Sequence, residues 1–263
     1  MDILSVVILG IVQGLTEFLP ISSSGHLVIC EHMLGLSYPG MSLEIWLHFG
    51  TLLSVLVYFR RRLLELAGSI LPGAPKPETT ANRKMLLALV VGTLPAVVIG
   101  LSFRSSFEAA FDSPRFASAM LVVTGIILLS TRLAGISGRY VTIPRGFWIG
   151  WAQAVAILPG ISRSGSTISA ALFLGIRPAL AAEFSFLLAI PAIGGAFLLD
   201  IFSSGGIAFT PGEMGMLLVG TTTAFVFGVA AIYSLLKIIG RGKFFLFGFY
   251  CLVAGTVSLI FMS

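Results

Sequence analysis

GIVQGLTEFLPISSSG, Gly10–Gly25, and GWAQAVAILPGISRSG, Gly150–Gly165, align without a gap at a separation of 140 residues. Gly, Gln, Ile, Ser, Ser and Gly occupy matching positions, and Leu34-Gly35 carries the match on to Leu174-Gly175. A weaker echo pairs Val91-Gly92-Thr93 with Val219-Gly220-Thr221, and Ala96 with Ala224. Such self-similarity marks a fold built from two related halves. In each copy an apolar run is interrupted by Pro, Gly and Ser, at Pro20–His26 and at Pro159–Thr167. Isolated from their surroundings these would read as turns; the surroundings say otherwise.

Hydrophobic residues make up 57% of the chain and charged residues 10%, with a mean hydropathy of +1.03. A soluble domain carries roughly 25% charged residues. Apolar runs near the ~20 residues that cross a bilayer recur along the whole length. The basic pI of 9.6 is therefore explained by topology, and no nucleic-acid partner is expected. Asp2 stands where a signal peptide would carry a basic region, so the first apolar stretch is expected to be retained. Cys30 and Cys251 lie in apolar context and no disulfide framework is expected.

Six segments read as full spans: Leu43–Phe59, Met85–Leu101, Phe116–Thr131, Glu183–Ile201, Met214–Leu236 and Phe244–Met262. Arg60–Lys84 reads as a loop, with six cations and the Pro- and Gly-rich stretch Pro72–Pro77. With Arg132–Arg145 and Lys237–Lys243 it is cation-rich, whereas Phe202–Glu213 has no Lys or Arg and Ser102–Arg115 balances its charges. The positive-inside rule makes the first three connections cytoplasmic and the last two external. Phe147–Ala182 must then enter and leave on the cytoplasmic side, as a re-entrant hairpin broken at Pro159-Gly160. Asp2–Ser42 must end outside, although Ile3–Leu19 is long enough to leave the side of the N-terminus open. The expected fold is thus an all-α polytopic membrane protein of two inverted-topology repeats. Each repeat is a broken-helix hairpin plus three spans: residues 1–131, a cytoplasmic linker 132–146, and residues 147–263. Inverted repeats bring their broken helices together near the midplane.

Irregular backbone at membrane depth is tolerated only where protein buries it or a wet cavity bounds it. Both breaks are therefore candidate sites. The first presents Gln13, Glu17, Ser22, Ser23, Ser24, Gly25 and His26, and the second Pro159, Gly160, Ser162, Arg163, Ser164, Gly165, Ser166 and Thr167. Gln13 and Glu17, four apart, share one helix face. Gly-rich turns opening into helices offer backbone N–H groups and a positive dipole end to an anion. Arg163 adds a planar fork for a phosphate, and its insertion at depth, at least ~2.5 kcal/mol, calls for phosphate or Glu17 as partner. Plainer readings exist for each part: Glu17 as an ion-pair partner of Arg163, His26 as a cap, the serines and glycines as helix packing. Glu44 and Glu183 read as negative charges at span starts and His48 as a helix-bonding residue beside the cavity. Glu31 and His32 are placed at the hairpin's outer mouth. Trp148, Trp151 and Tyr140 read as interfacial anchors.

At these residues the chain resembles the undecaprenyl-diphosphate phosphatase family of bacterial membranes, along nearly its whole length. The two signatures are Glu-or-Gln, three residues, Glu, here Gln13–Glu17, and PGxSRSxxT, here Pro159–Thr167 as PGISRSGST. The resemblance implies hydrolysis of a polyprenyl diphosphate to the monophosphate and phosphate, recycling the lipid carrier of cell-wall synthesis and conferring bacitracin resistance. It also implies a bacterial inner-membrane location, a site opening externally and a divalent cation (Mg²⁺ or Ca²⁺); if a metal binds, Glu17 and the substrate phosphates are expected to supply most of its ligands. Many members have Glu at position 13, and the amide of Gln13 is a poorer Mg²⁺ ligand.

The expected division of labour makes Ser23, His26, Glu17 and Arg163 catalytic. Gln13, Ser22, Ser24, Gly160, Ser162, Ser164, Gly165 and Thr167 are expected to bind phosphate. Ser23 is the candidate nucleophile with His26 as proton acceptor or leaving-group acid; direct attack by water, with His26 or Glu17 as base, is the open alternative. The expected partners are a polyprenyl diphosphate lipid, the bilayer, and a second copy of the chain. A lipid or anion transporter is the rival reading, because inverted repeats are typical of transporters.

Overall fold

The structure, a computed structural model, describes residues 2–34, 42–71, 77–135, 137–203 and 211–262. Gly35, the segment Pro72–Lys76 and most of the Phe202–Glu213 connection, on which parts of the repeat and topology reading rested, lie outside the described residues. The elements run α1 (Ile3–Phe18), α2 (Ser23–Leu34), α3 (Ser42–Tyr58), α4 (Arg60–Gly68), α5 (Pro77–Ser102), α6 (Arg104–Phe111), α7 (Pro114–Ser130), α8 (Ile143–Val155), α9 (Arg163–Phe173), α10 (Pro178–Ser203), α11 (Pro211–Gly240) and α12 (Leu246–Phe261). Among the described residues the only β-type pairing is an isolated bridge from Arg139 to Ile176.

Four helical stretches are long and apolar enough to cross a bilayer: Pro77–Ser102, Pro114–Leu133, Pro178–Leu199 and Gly212–Gly240. Taken as one span, α3 and α4 make a fifth, bent by 70°. The protein is an all-α, multi-pass membrane protein. The expected last span is shorter than read, since α12 has 16 residues and reaches about 24 Å. Two expected connections are helical. Arg60–Gly68 forms α4, and α5 begins at Pro77, where a proline's fixed φ suits the first helical turn. Arg104–Phe111 forms α6. Glu183 lies inside α10 instead of at its start and pairs with Arg62, Nε to Oε1 at 2.7 Å. Arg62 also donates to Glu65 at 3.0 Å and Asn82 at 2.9 Å, so it fastens the α4 elbow to α5 and α10. Cys30 and Cys251 are free, and Tyr140, Trp148 and Trp151 are exposed.

Because lipid supplies no hydrophobic drive between helices, close packing of small residues holds them together. Gly10 of α1 rests on Gly220 of α11, where an added Cβ would lie 2.9 Å from the carbonyl oxygen. Gly150 of α8 rests on Gly92 of α5, and a Cβ there would collide with that carbonyl. These are the partners of the two sequence echoes, so α1 packs on α11 as α8 packs on α5. A larger side chain at Gly10 or Gly150 would part the helices and move the break that follows.

At each Ser/Gly break the chain leaves one helix and starts the next. In the first, Ser22 has φ 67° and its Oγ accepts from Gly25 N at 3.3 Å. In the second, Gly160 has φ 92°, and Ser162 caps α9 by accepting from Gly165 N at 3.0 Å. A side chain at Gly160 would both strain that backbone and strike the Ala117 carbonyl. Gly25 sits against Gly160, and Gly165 against Pro20. Each break is also held by a further helix. Thr124 Oγ1 of α7 donates to Gly160 O at 2.7 Å, and Cys251 Sγ of α12 donates to Pro20 O at 3.7 Å.

Candidate active site

The two helices that follow the breaks begin at Ser23 and Arg163, positions that match in the sequence alignment. Their first turns leave backbone N–H groups without acceptors inside the helix, the arrangement that favours an anion. Glu17, at the end of α1, lies between them. One carboxylate oxygen, Oε1, accepts from Arg163 Nη2. The other, Oε2, accepts from Ser23 Oγ at 2.5 Å and from Gln13 Nε2 at 3.1 Å. Glu17 is buried, and the Arg163 side chain is 14% exposed. This pair joins the two hairpins across the molecule. Phe18, the next residue, is fully buried edge-on against Phe186 of α10, with centroids 5.5 Å apart, so the carboxylate is aimed by a packed core.

Arg163 donates to Glu17 through one nitrogen only. Its second terminal nitrogen, Nη1, is buried with no partner, as is the amide oxygen of Gln13. An unpaired buried guanidinium nitrogen is costly unless something binds there. One donor and one acceptor therefore stand free at the centre of the site. Among the described residues no three His, Cys, Asp or Glu side chains gather into a metal cage.

Several expected phosphate-binding groups are instead occupied in building the scaffold. Thr167 donates its hydroxyl to Arg163 O at 2.8 Å and pairs with Ser185 Oγ at 2.6 Å. Ser164 Oγ donates to Leu19 O at 3.2 Å, and Ser162 N donates to Thr124 Oγ1 at 3.0 Å. Gly160 gives its carbonyl to Thr124, and Gly165 its N–H to Ser162. Ser22 caps α2, with Ser24 Oγ 3.4 Å from its hydroxyl. Ser23 and Ser24 are the hydroxyls of the first break that keep partial exposure. The second break thus contributes Arg163 and free backbone N–H groups, and its serines shape the turn.

Ser23 hydrogen-bonds Glu17 and not His26, the group read as its proton acceptor or as the leaving-group acid. His26 lies one turn further along α2, with Nδ1 2.8 Å from Ser22 O and Nε2 2.7 Å from Tyr250 Oη of α12. Helical spacing gave the shared face, but the tertiary partners took both groups. His48 comes closer than its sequence position implied. Its Nδ1 donates to Glu44 O of its own helix at 2.8 Å. Its Nε2 lies 3.6 Å from Glu17 Oε2. Tyr250, Thr124 and Ser185 were not legible as site residues, because each sits alone in an apolar helix and gains meaning only from what it packs against.

Known proteins place this chain in a family. The chain matches the family described as bacitracin resistance protein BacA over residues 6–257. It is 44% identical to the undecaprenyl-diphosphatase of Desulfosudis oleivorans over 268 residues, covering 96% of each chain. With that of Desulfatibacillum aliphaticivorans it shares 42%, covering 98% of each, and with that of Syntrophotalea carbinolica 42% over both full chains. The chain belongs to the bacitracin resistance protein BacA family.

Proposed function

We propose that the protein hydrolyses undecaprenyl diphosphate, or a close polyprenyl relative, to the monophosphate and inorganic phosphate, at the meeting of the two broken hairpins. The buried, unpartnered Nη1 of Arg163, set at the start of α9 beside Glu17 and Ser23, carries this reading. It is a buried donor waiting for an anionic oxygen where the two breaks meet, and a diphosphate supplies one. The name shared by the relatives gives the same substrate.

The diphosphate enters with its prenyl tail in lipid. Arg163 and the first-turn N–H groups of α2 and α9 hold the phosphoryl oxygens, and this positioning with charge stabilisation is most of what phosphoryl transfer asks of a protein. Ser23 is the nucleophile: its Oγ forms a bond to the terminal phosphorus as the anhydride P–O bond breaks, and Glu17 Oε2 takes its proton. The polyprenyl monophosphate leaves, and water then releases phosphate from the phosphoserine. His26 handles the proton of the water or of the leaving group. Gln13 Oε1 and Glu17 also fit a divalent cation that brings phosphate oxygens and water as its other ligands; such a cation would neutralise phosphate charge.

The recurring contacts support two inverted repeats about a pseudo-twofold axis: Gly10 on Gly220 and Gly150 on Gly92, Gly25 on Gly160 and Gly165 on Pro20. In this reading the site opens to the external face of a bacterial inner membrane, the released monophosphate returns as carrier for cell-wall synthesis, and turnover confers bacitracin resistance. Phosphate release by detergent-solubilised protein, with no gradient present, tests the reading; binding without release would favour transport. Ser23→Ala with near-normal turnover alongside an inactive Arg163→Ala would leave the anion site standing and shift the attack to water.

A further inference from the structure

Both ring nitrogens of His26 are already engaged. Nδ1 lies 2.8 Å from the Ser22 carbonyl oxygen, which can only accept, so Nδ1 carries a hydrogen. In the neutral ring Nε2 is then bare. The Tyr250 hydroxyl, 2.7 Å away, must donate to it. The two rings lie nearly parallel, 9° apart with centroids at 5.7 Å. Tyr250 itself is fixed from the other side of its helix, because the next residue, Cys251, is fully buried and bonds Pro20 O. One turn of α12 therefore grips the first break at two points: the backbone at Pro20 and the imidazole at His26.

We propose that Tyr250 is a further catalytic residue for the phosphatase reaction, its hydroxyl fixing the tautomer and the direction of the His26 imidazole and passing protons to and from Nε2. This rests on the phosphatase reading and on His26 as its proton-handling group. A phenol suits the task because its O–H rotates. It donates to Nε2 while the ring is neutral; when that hydrogen passes to Nε2 the phenol oxygen takes one from the water or the leaving group and then accepts from Nε2–H, so the imidazole keeps a partner through the proton cycle. A tautomer fixed by a neighbour is a recurrent requirement for histidine in catalysis.

The test is a double-mutant cycle on the full chain in detergent, following phosphate release from polyprenyl diphosphate with the wild type, Tyr250→Phe, His26→Ala and the double variant. Tyr250→Phe, which keeps the ring, is expected to lower kcat about tenfold, with KM within about twofold. In the His26→Ala background the same substitution is expected to change nothing further. The ¹⁵N resonance of His26 Nε2 is expected to move in Tyr250→Phe at an unchanged melting temperature. Equal losses in both backgrounds, unchanged kcat in Tyr250→Phe, or an unmoved Nε2 resonance would overturn the proposal. Wild-type turnover by His26→Ala would overturn it too, by removing His26 from the reaction. Failure of the phosphatase reading itself shows separately, as a wild-type protein that releases no phosphate.

Discussion

Glu17 and Arg163 are 146 residues apart in the chain and bonded in the fold, with the carboxylate of one hairpin accepting from the guanidinium of the other. The pair does two things at once. It neutralises an arginine that would otherwise be expensive at membrane depth, and it sets the carboxylate that accepts from Ser23 beside the unpartnered Nη1 of Arg163.

Removing one partner should therefore damage stability and turnover together. Glu17→Gln is expected to lower the unfolding free energy by about 3 kcal/mol, since it strands a buried guanidinium, and to reduce kcat at least ~100-fold. Pairing it with Arg163→Met should restore much of the melting temperature and none of the activity. If Glu17→Gln keeps wild-type turnover, the carboxylate is only a structural partner.

Arg163→Lys separates charge from shape. A lysine preserves the charge but not the planar fork that reaches Glu17 and a phosphate oxygen together. Phosphate release is expected to fall ~100-fold or more, and near-normal rates would show that charge alone suffices.

Thr124→Val probes the scaffold under the second break. It leaves Gly160 O and Ser162 N unpaired in the interior, at roughly 1–3 kcal/mol for each group. Lower thermal stability is expected with a reduced kcat, because Arg163 follows directly on Ser162. Thr124→Ser should rescue both.

Arg62→Ala is the contrasting case. The Arg62 side chain is 26% exposed, and its loss is expected to cost only about 1 kcal/mol while kcat and KM hold. A large fall in kcat would reveal coupling between the α4 elbow and the site.

Gln13→Glu tests the divalent cation. A second carboxylate beside Glu17 makes a better hard-cation ligand than the amide. The cation concentration for half-maximal phosphate release is expected to fall; an unchanged value would remove position 13 from the ligand set.

The sequence by itself determined much of this protein. Its hydropathy required a membrane, the two PISSSG- and GISRSG-type breaks marked the candidate site, and the Gln13–Glu17 and PGISRSGST signatures carried the resemblance to its family. These are local properties, carried by neighbouring residues whose spacing survives in any fold. The boundaries were less legible: α4 and α6 lay hidden in charged connections, because a short interfacial helix has the composition of a loop. What only the tertiary structure decided was the partner of each polar group. Ser23 donates to Glu17 and not His26, Thr167 holds the Arg163 backbone, and Tyr250 takes His26. An isolated Tyr, Thr or Ser in an apolar helix has no periodicity to betray it. Its hydrogen bond is made with a residue far away in the chain, so its role exists only once the helices are packed.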